Sequence, residues 1–295
     1  MSYSIEQGPT TFWLNAERNF RGLVQRDGLH MVLLSMDAPM RVLLRNTERL
    51  FTDAAPRLAG SPTVIINGNF YDVTRLGLLD AFSGGDPVDP DATTPLGRLV
   101  NQGTVIGGST QTQMFYLAQV TTPLIGPPAP GQVCYCAYSY ETGFGAAPVR
   151  SGVQAAIGGL GPMIIGGLKY GDGNLYRVGA PSPAPESGKP PEAARPFLIQ
   201  RNNKTYTSAA AHPPGTGKTI VAVCSYRARL LIVVQADGSS GQRLDHVRDR
   251  LFDLGFDHAV FFDGSDSSCL WHGGSWRIMP GSDKNETNTV GLAFG

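Results

Sequence analysis

The chain has 295 residues, 41% of them hydrophobic and 16% charged, which places it in the globular range with room for one large domain or two modest ones. Lys plus Arg and Asp plus Glu each total 24, so no overall field draws in nucleic acid, and no nucleic-acid partner is expected. Residues 1–20 hold Glu6, Asn15, Glu17 and Arg18 without an uninterrupted apolar run, and no later run could span a bilayer; neither a Sec leader nor membrane insertion is expected, leaving cytoplasmic residence or a leaderless export route.

Glycine (37) and proline (22) are abundant, and the apolar runs are short and rich in Val, Ile and Phe, so sheet is the dominant expectation. The predicted class is α+β, a mixed and largely antiparallel sheet core with few helices. The runs around Gly28 and through residues 30–36 and 41–44 read as consecutive strands, the last two joined by a turn at Asp37-Ala38-Pro39. Residues 47–58 have helical spacing, and Thr63-Val64-Ile65-Ile66 reads as a strand. Residues 1–61 are therefore expected to be an N-terminal set of strands and a helix packing on a core formed by 62–295. Residues 180–196 are proline-rich and nearly devoid of large apolar groups, which predicts a surface loop. Two apolar runs follow, residues 219–223 and 229–234. Ser240 is then the expected cap of a helix carrying Leu244, Val247, Leu251 and Leu254, with Gly255 at its end. Ala259-Val260-Phe261-Phe262 is a short central strand with Asp263 at its exit. Cys134, Cys136, Cys224 and Cys269 fit neither a routine disulfide nor a zinc knuckle and read as free thiols.

His212-Pro213-Pro214-Gly215-Thr216-Gly217-Lys218-Thr219 departs from a P-loop only at its first position. A P-loop needs a strand before it and a helix after it to aim amides at phosphate. Here polar residues precede the string and the β-branched Ile220-Val221-Ala222-Val223 follows, so a strand is expected instead and the nucleotide-hydrolase reading is set aside.

Three apolar runs end in small polar residues: Ile65-Ile66 in Asn67-Gly68-Asn69, Val233-Val234 in Gln235-Ala236-Asp237-Gly238, and Phe261-Phe262 in Asp263-Gly264. Each could be a simple turn. If the strands are neighbours, Asn67, Asp237 and Asp263 converge at one sheet edge, where side chains can be held rigidly against a cleft.

Asn67-Gly68-Asn69-Phe70-Tyr71 resembles the Asn-Gly-Gly-Phe/Tyr-Phe motif of the phosphodiester glycosidase family. Gly159-Leu160-Gly161-Pro162-Met163-Ile164-Ile165-Gly166-Gly167, Lys218-Thr219-Ile220-Val221-Ala222, Ala236-Asp237-Gly238 and Phe262-Asp263-Gly264-Ser265-Asp266-Ser267-Ser268 follow its further motifs in order and approximate spacing, and Asn288-Thr289-Val290-Gly291-Leu292-Ala293 is similar to its last strand. The resemblance covers residues 62–295. Lys218 stands where the family has arginine, Asn69 replaces the middle glycine of the first motif, and Ser265 and Asp266 replace two glycines.

The resemblance implies a hydrolase that cleaves between a sugar's anomeric carbon and a phosphodiester oxygen, on a glycan, a cell-wall polymer or a nucleotide sugar. Asp263, Asp237 and Asn67 are the implied catalytic set, with the roles of the two carboxylates left open. Lys218 and Arg243 would hold phosphate, and Thr219, Gly264, Ser267, Ser268, Asn69, Tyr71 and Gly68 would line the substrate. No cofactor is expected, although Asp263, Asp266 and Asp237 are a candidate set for a divalent cation. Trp271, Trp276 and His272 lie close enough in sequence to be candidate wall residues, whereas His246 and His258 read as surface or packing groups. The alternatives are a non-catalytic phosphosugar or nucleotide-binding module and a leaderless exported or phage-associated effector.

Overall fold

A computed structural model describes residues 22–44, 64–72, 94–109, 114–122, 136–170, 215–264, 267–279 and 290–295. The strands are β1 (Gly22–Arg26), β2 (Leu29–Ser35), β3 (Met40–Leu44), β4 (Val64–Asn67), β5 (Tyr71–Asp72), β6 (Thr94–Pro95), β7 (Leu99–Asn101), β8 (Thr104–Gly107), β9 (Phe115–Thr121), β10 (Tyr138–Phe144), β11 (Val153–Ile165), β12 (Leu168–Lys169), β13 (Lys218–Cys224), β14 (Arg229–Gln235), β15 (His258–Phe261), β16 (Leu270–His272), β17 (Ser275–Ile278) and β18 (Val290–Phe294), with helix α1 (Leu244–Asp253) between β14 and β15. The fold is mostly antiparallel sheet, and α1 is the one α-helix among the described residues, so the expected helical share is very small. The expected helix at 47–58 and the loop at 180–196 lie outside those residues.

Eleven strands form the larger sheet, along the path β1-β2-β14-β13-β15-β11-β7-β8, with β9, β10 and β12 joined to it at β11 and β9. A second sheet runs β17-β16-β4-β18-β3. β1 and β2 form a hairpin whose turn, Asp27-Gly28, has φ of 53° and 77° at its two residues, the double positive φ that matches the twist of two-residue hairpins. The turn at Asp37-Ala38-Pro39 does not fold β3 back onto β2. Instead β2 pairs with β14 in the larger sheet and β3 with β18 in the smaller. The corner is fixed by Gln119, which is fully buried. Its Oε1 accepts from the Met40 amide at 2.7 Å, and its Nε2 donates to the Ala38 carbonyl and the Tyr140 hydroxyl, each at 2.8 Å.

The core lies between the sheets. Val32 and Leu34, Val221 and Val223, Val260 and Phe262 project from the larger sheet onto Val64 and Ile66, Leu270, Leu292 and Phe294 of the smaller, every second residue of a strand facing the same way. The intervening residues of the larger sheet, Ile220, Ala222, Ala259 and Phe261, face outward and are covered by Leu244, Val247 and Leu251 of α1. Truncating a buried leucine such as Leu251 to alanine costs roughly 2–5 kcal/mol.

α1 begins after Arg243, not Ser240, and its start has no side-chain cap. The segment before it is claimed by Gln235, whose Oε1 accepts from the Gln242 amide at 2.9 Å. Gly241 lies so close to this side chain that a Cβ there would come within 1.9 Å of it. Gly255, φ 84°, ends the helix as expected. Cys224 and Cys269 are free thiols, and both they and Cys136 are buried; Cys134 is outside the described residues. No helix of the described residues is long and apolar enough to cross a membrane.

Candidate active site

β13, β15 and β4 bring three of the sequence motifs to one edge. Asn67, the last residue of β4, is fully buried. Its Nδ2 donates to the Asp263 carbonyl at 2.7 Å, while its Oδ1 accepts from the Thr219 hydroxyl at 2.6 Å and the Cys269 amide at 3.2 Å. The Asp263 amide in turn donates to the Gly68 carbonyl at 3.3 Å. One carboxamide thus ties the two sheets together where the loop after β15 begins. Asn67 and Thr219 are positioning residues, since their polar atoms are spent on each other and on backbone.

Ile220 pairs with Phe261, and the Phe262 amide donates to the Thr219 carbonyl at 2.9 Å. The ladder therefore runs on to Thr219 and Phe262 and brings the start of β13 beside the exit of β15. Alternation turns Lys218 to the α1 side of the sheet and Thr219 to the inter-sheet side. Lys218 is only 3% exposed, and its ammonium donates to the Thr216 carbonyl at 2.5 Å. Burial pulls its pKa down to about 8, with Asp237 opposing the shift. A strand follows Gly217, as the sequence predicts, and not the helix a P-loop requires. Asp263 is half-buried, and its Oδ1 accepts from the Gly264 amide at 3.0 Å, so that amide already serves the carboxylate. Gly264 must be glycine, because a Cβ would meet the Gly217 carbonyl oxygen at 2.7 Å.

Asp237 does not share the position of Asp263. It is exposed, its Oδ1 accepts from the Gly217 amide at 2.8 Å, and Gly238 turns the chain at φ 73°. This is the turn-forming role of an Asp-Gly pair, placed within electrostatic reach of Lys218. Arg243 spends its guanidinium on Asp245, with Nε donating at 3.0 Å. The residue that the sequence reading missed is Gln235, fully buried opposite Lys218 in register. Its Nε2 donates to the Thr216 carbonyl at 2.9 Å, so one side chain braces both the Lys218 loop and the α1 loop. A lone polar residue closing the apolar run 230–234 was the available signal.

Asn69 and Ser268 are 4% and 2% exposed, and neither the Asn69 carboxamide nor the Ser268 hydroxyl has a hydrogen-bond partner among the described residues. Asn69 lies beside Gly159, φ 72°, where a Cβ would stand 3.1 Å from Asn69 Nδ2 and 2.7 Å from the Gly97 amide. Ser267 is buried, and its amide donates to the Gly264 carbonyl at 3.1 Å. Ser265, Asp266 and the Tyr71 side chain are outside the described residues. No group of three or more His, Cys, Asp or Glu able to hold a metal occurs among the described residues.

Trp271 and Trp276 stack edge to face, with ring centroids 5.5 Å apart, against Ile65 and Ala293 on the outer face of the smaller sheet. His272 pairs with Val64, at the end of β4 remote from Asn67. His272 is therefore not at the Asp263 edge, and the two tryptophans pack on the outer face of the smaller sheet. His246 is exposed on α1, and His258 packs with Nδ1 2.6 Å from the Thr142 hydroxyl.

No family model matches this chain, and no curated protein does. Solved structures do. The catalytic domain of zebrafish N-acetylglucosamine-1-phosphodiester alpha-N-acetylglucosaminidase, auto-inhibited by its pro-peptide, is similar at 12% identity and a TM-score of 0.50, over 93% of this chain and 81% of that one. The likeness is one of fold. A putative exported protein from Burkholderia pseudomallei K96243 is similar at 12% identity and a TM-score of 0.51, over 90% of this chain and 73% of that one. A hypothetical protein from Synechocystis follows at 13% identity and 0.48, where this chain spans 61% of the other's length.

Proposed function

We propose that this chain is a hydrolase that cleaves the glycosidic bond of a sugar-1-phosphodiester. The observation that carries this reading is the single edge at which Asn67, Thr219 and Asp263 are hydrogen-bonded together, with Lys218 preceding Thr219 at the start of β13, in a fold shared with a phosphodiester glycosidase catalytic domain. Lys218 sets the phosphodiester by charge, and the Thr216 carbonyl, itself braced by Gln235, holds the ammonium in place. Asp263 supplies the carboxylate that stabilises positive charge on the anomeric carbon or directs water to it. Water oxygen bonds to that carbon, the bond to the phosphate oxygen breaks, and the products are a free sugar and a phosphomonoester. A phosphate leaves readily as an anion, so this reaction asks less of a general acid than hydrolysis of an ordinary glycoside.

The test is turnover of UDP-N-acetylglucosamine and of teichoic-type wall glycans by the wild type and by Asp263→Asn. The expected result is release of free sugar by the wild type and a loss of at least roughly a hundredfold in the variant. Equal turnover by the variant, or no product from any phosphodiester, overturns the reading.

A further inference from the structure

Next to Asp263, the carboxamide of Asn69 and the hydroxyl of Ser268 are buried and lack partners among the described residues. Both lie on segments that are hydrogen-bonded to Asp263 or to Asn67. Asn69 follows Gly68, whose carbonyl accepts the Asp263 amide, and Ser268 precedes Cys269, whose amide donates to Asn67. Gly159 approaches Asn69 Nδ2 closely, and a Cβ there would also meet the Gly97 amide at 2.7 Å, so the backbone packs against Asn69 without offering it a partner. Leaving buried donors and acceptors unmet is costly, and the neighbouring Asn67 shows how fully the same side chain can be used when its partners are part of the fold.

The two side chains present an acceptor, a donor and a hydroxyl that can be either, with no net charge. A phosphate or carboxylate offers only acceptors and would meet Asn69 Oδ1 oxygen to oxygen. The complement is a neutral group that both donates and accepts. Resting on the function proposed above, we infer that Asn69 and Ser268 form a specificity subsite that reads the neutral substituent beside the anomeric carbon, an acetamido or hydroxyl group at C2 of the sugar.

Calorimetric titration of the full chain with UDP-N-acetylglucosamine, UDP-glucose and UDP-2-deoxyglucose, using wild type, Asn69→Gly and Ser268→Ala, tests this. The wild type should bind at least one of the first two more tightly than the 2-deoxy compound, by roughly two- to tenfold for each hydrogen bond. Which of the two is preferred distinguishes acetamido from hydroxyl. Each variant should lose that preference while its affinity for the 2-deoxy compound stays within about twofold, and Ser268→Ala should unfold at the same or a higher urea concentration, since it removes an unmet hydroxyl. Wild-type binding with the preference absent, or kept in both variants, overturns the subsite and leaves the proposed function standing. A large stability loss in Ser268→Ala also overturns it, because the hydroxyl would then have a structural partner. Absence of binding and turnover for all three compounds removes both readings together.

Discussion

Asn67 and Asp263 stand 196 positions apart in the chain, and the carboxamide of the first holds the carbonyl of the second at 2.7 Å. The tie crosses from the smaller sheet to the larger, so the geometry of the Asp263 loop is inherited from the packing of the two sheets. Replacing Asn67 with alanine strands the Thr219 hydroxyl, the Cys269 amide and the Asp263 carbonyl together. The expected loss is about 2–5 kcal/mol in urea unfolding, with turnover falling further than stability. Asn67→Asp keeps the acceptor but faces Asp263 with a second oxygen, and should be no better.

Lys218 gives the stability a measurable pH dependence. Its folded pKa of about 8 lies below the ordinary 10.5, so between those values the unfolded chain binds the proton that the folded chain has released. Stability therefore rises with pH across that window. Lys218→Met should flatten this slope in urea midpoints taken from pH 7.5 to 10.5, and the variant should gain stability at neutral pH while losing phosphodiester affinity. A bound phosphodiester should reverse the wild-type trend by favouring the ammonium.

Gly264 sets how closely the loop after β15 approaches the loop before β13. With a Cβ 2.7 Å from the Gly217 carbonyl oxygen, Gly264→Ala must push the two apart and shift the amide that the Asp263 carboxylate accepts. Turnover should fall at least roughly tenfold with a stability cost of about 1–3 kcal/mol, a ratio that kinetics and denaturation on the same sample would report.

Three imidazoles give an acid limb. Burial pushes His30, His258 and His272 below the usual 6.5, and the Arg277 charge adds to the shift for His30 and His272. The unfolded chain takes up these protons first, so stability falls as pH drops through 6.5 and continues to fall to the folded values. Arg277→Gln, at an exposed position, should leave neutral-pH stability within about 0.5 kcal/mol and soften the acid limb, as followed by thermal unfolding at pH 7 and pH 5.

The strands around the candidate site were legible because each is an apolar run broken by a small polar residue, and two of the motifs, at Asn67 and Asp263, meet in the fold. Two things were hidden. An Asp-Gly pair reads the same whether it closes a turn or holds a carboxylate at a cleft, so Asp237 was grouped with Asp263 although it bonds to its own neighbouring loop. Sequence order also says nothing of which sheet a strand enters. β3 follows β2 after a short turn, yet it leaves for the smaller sheet because Gln119, far along the chain, satisfies the backbone of the corner. In β9 Phe115, Leu117 and Gln119 fall on one side of the strand and are all buried, so a polar residue in phase with apolar ones was the trace that this side chain left.

The place of β18 has a consequence for how the protein is made. It pairs with β3 on one side and β4 on the other, so both earlier strands wait for residues 290–294 to be synthesised. On the ribosome their inner edges stay open for on the order of ten seconds or more, and the nascent chain is exposed to wrong strand pairing through that interval. A chaperone that holds extended apolar segments should raise the folded yield of this chain, by an amount that grows as translation is slowed.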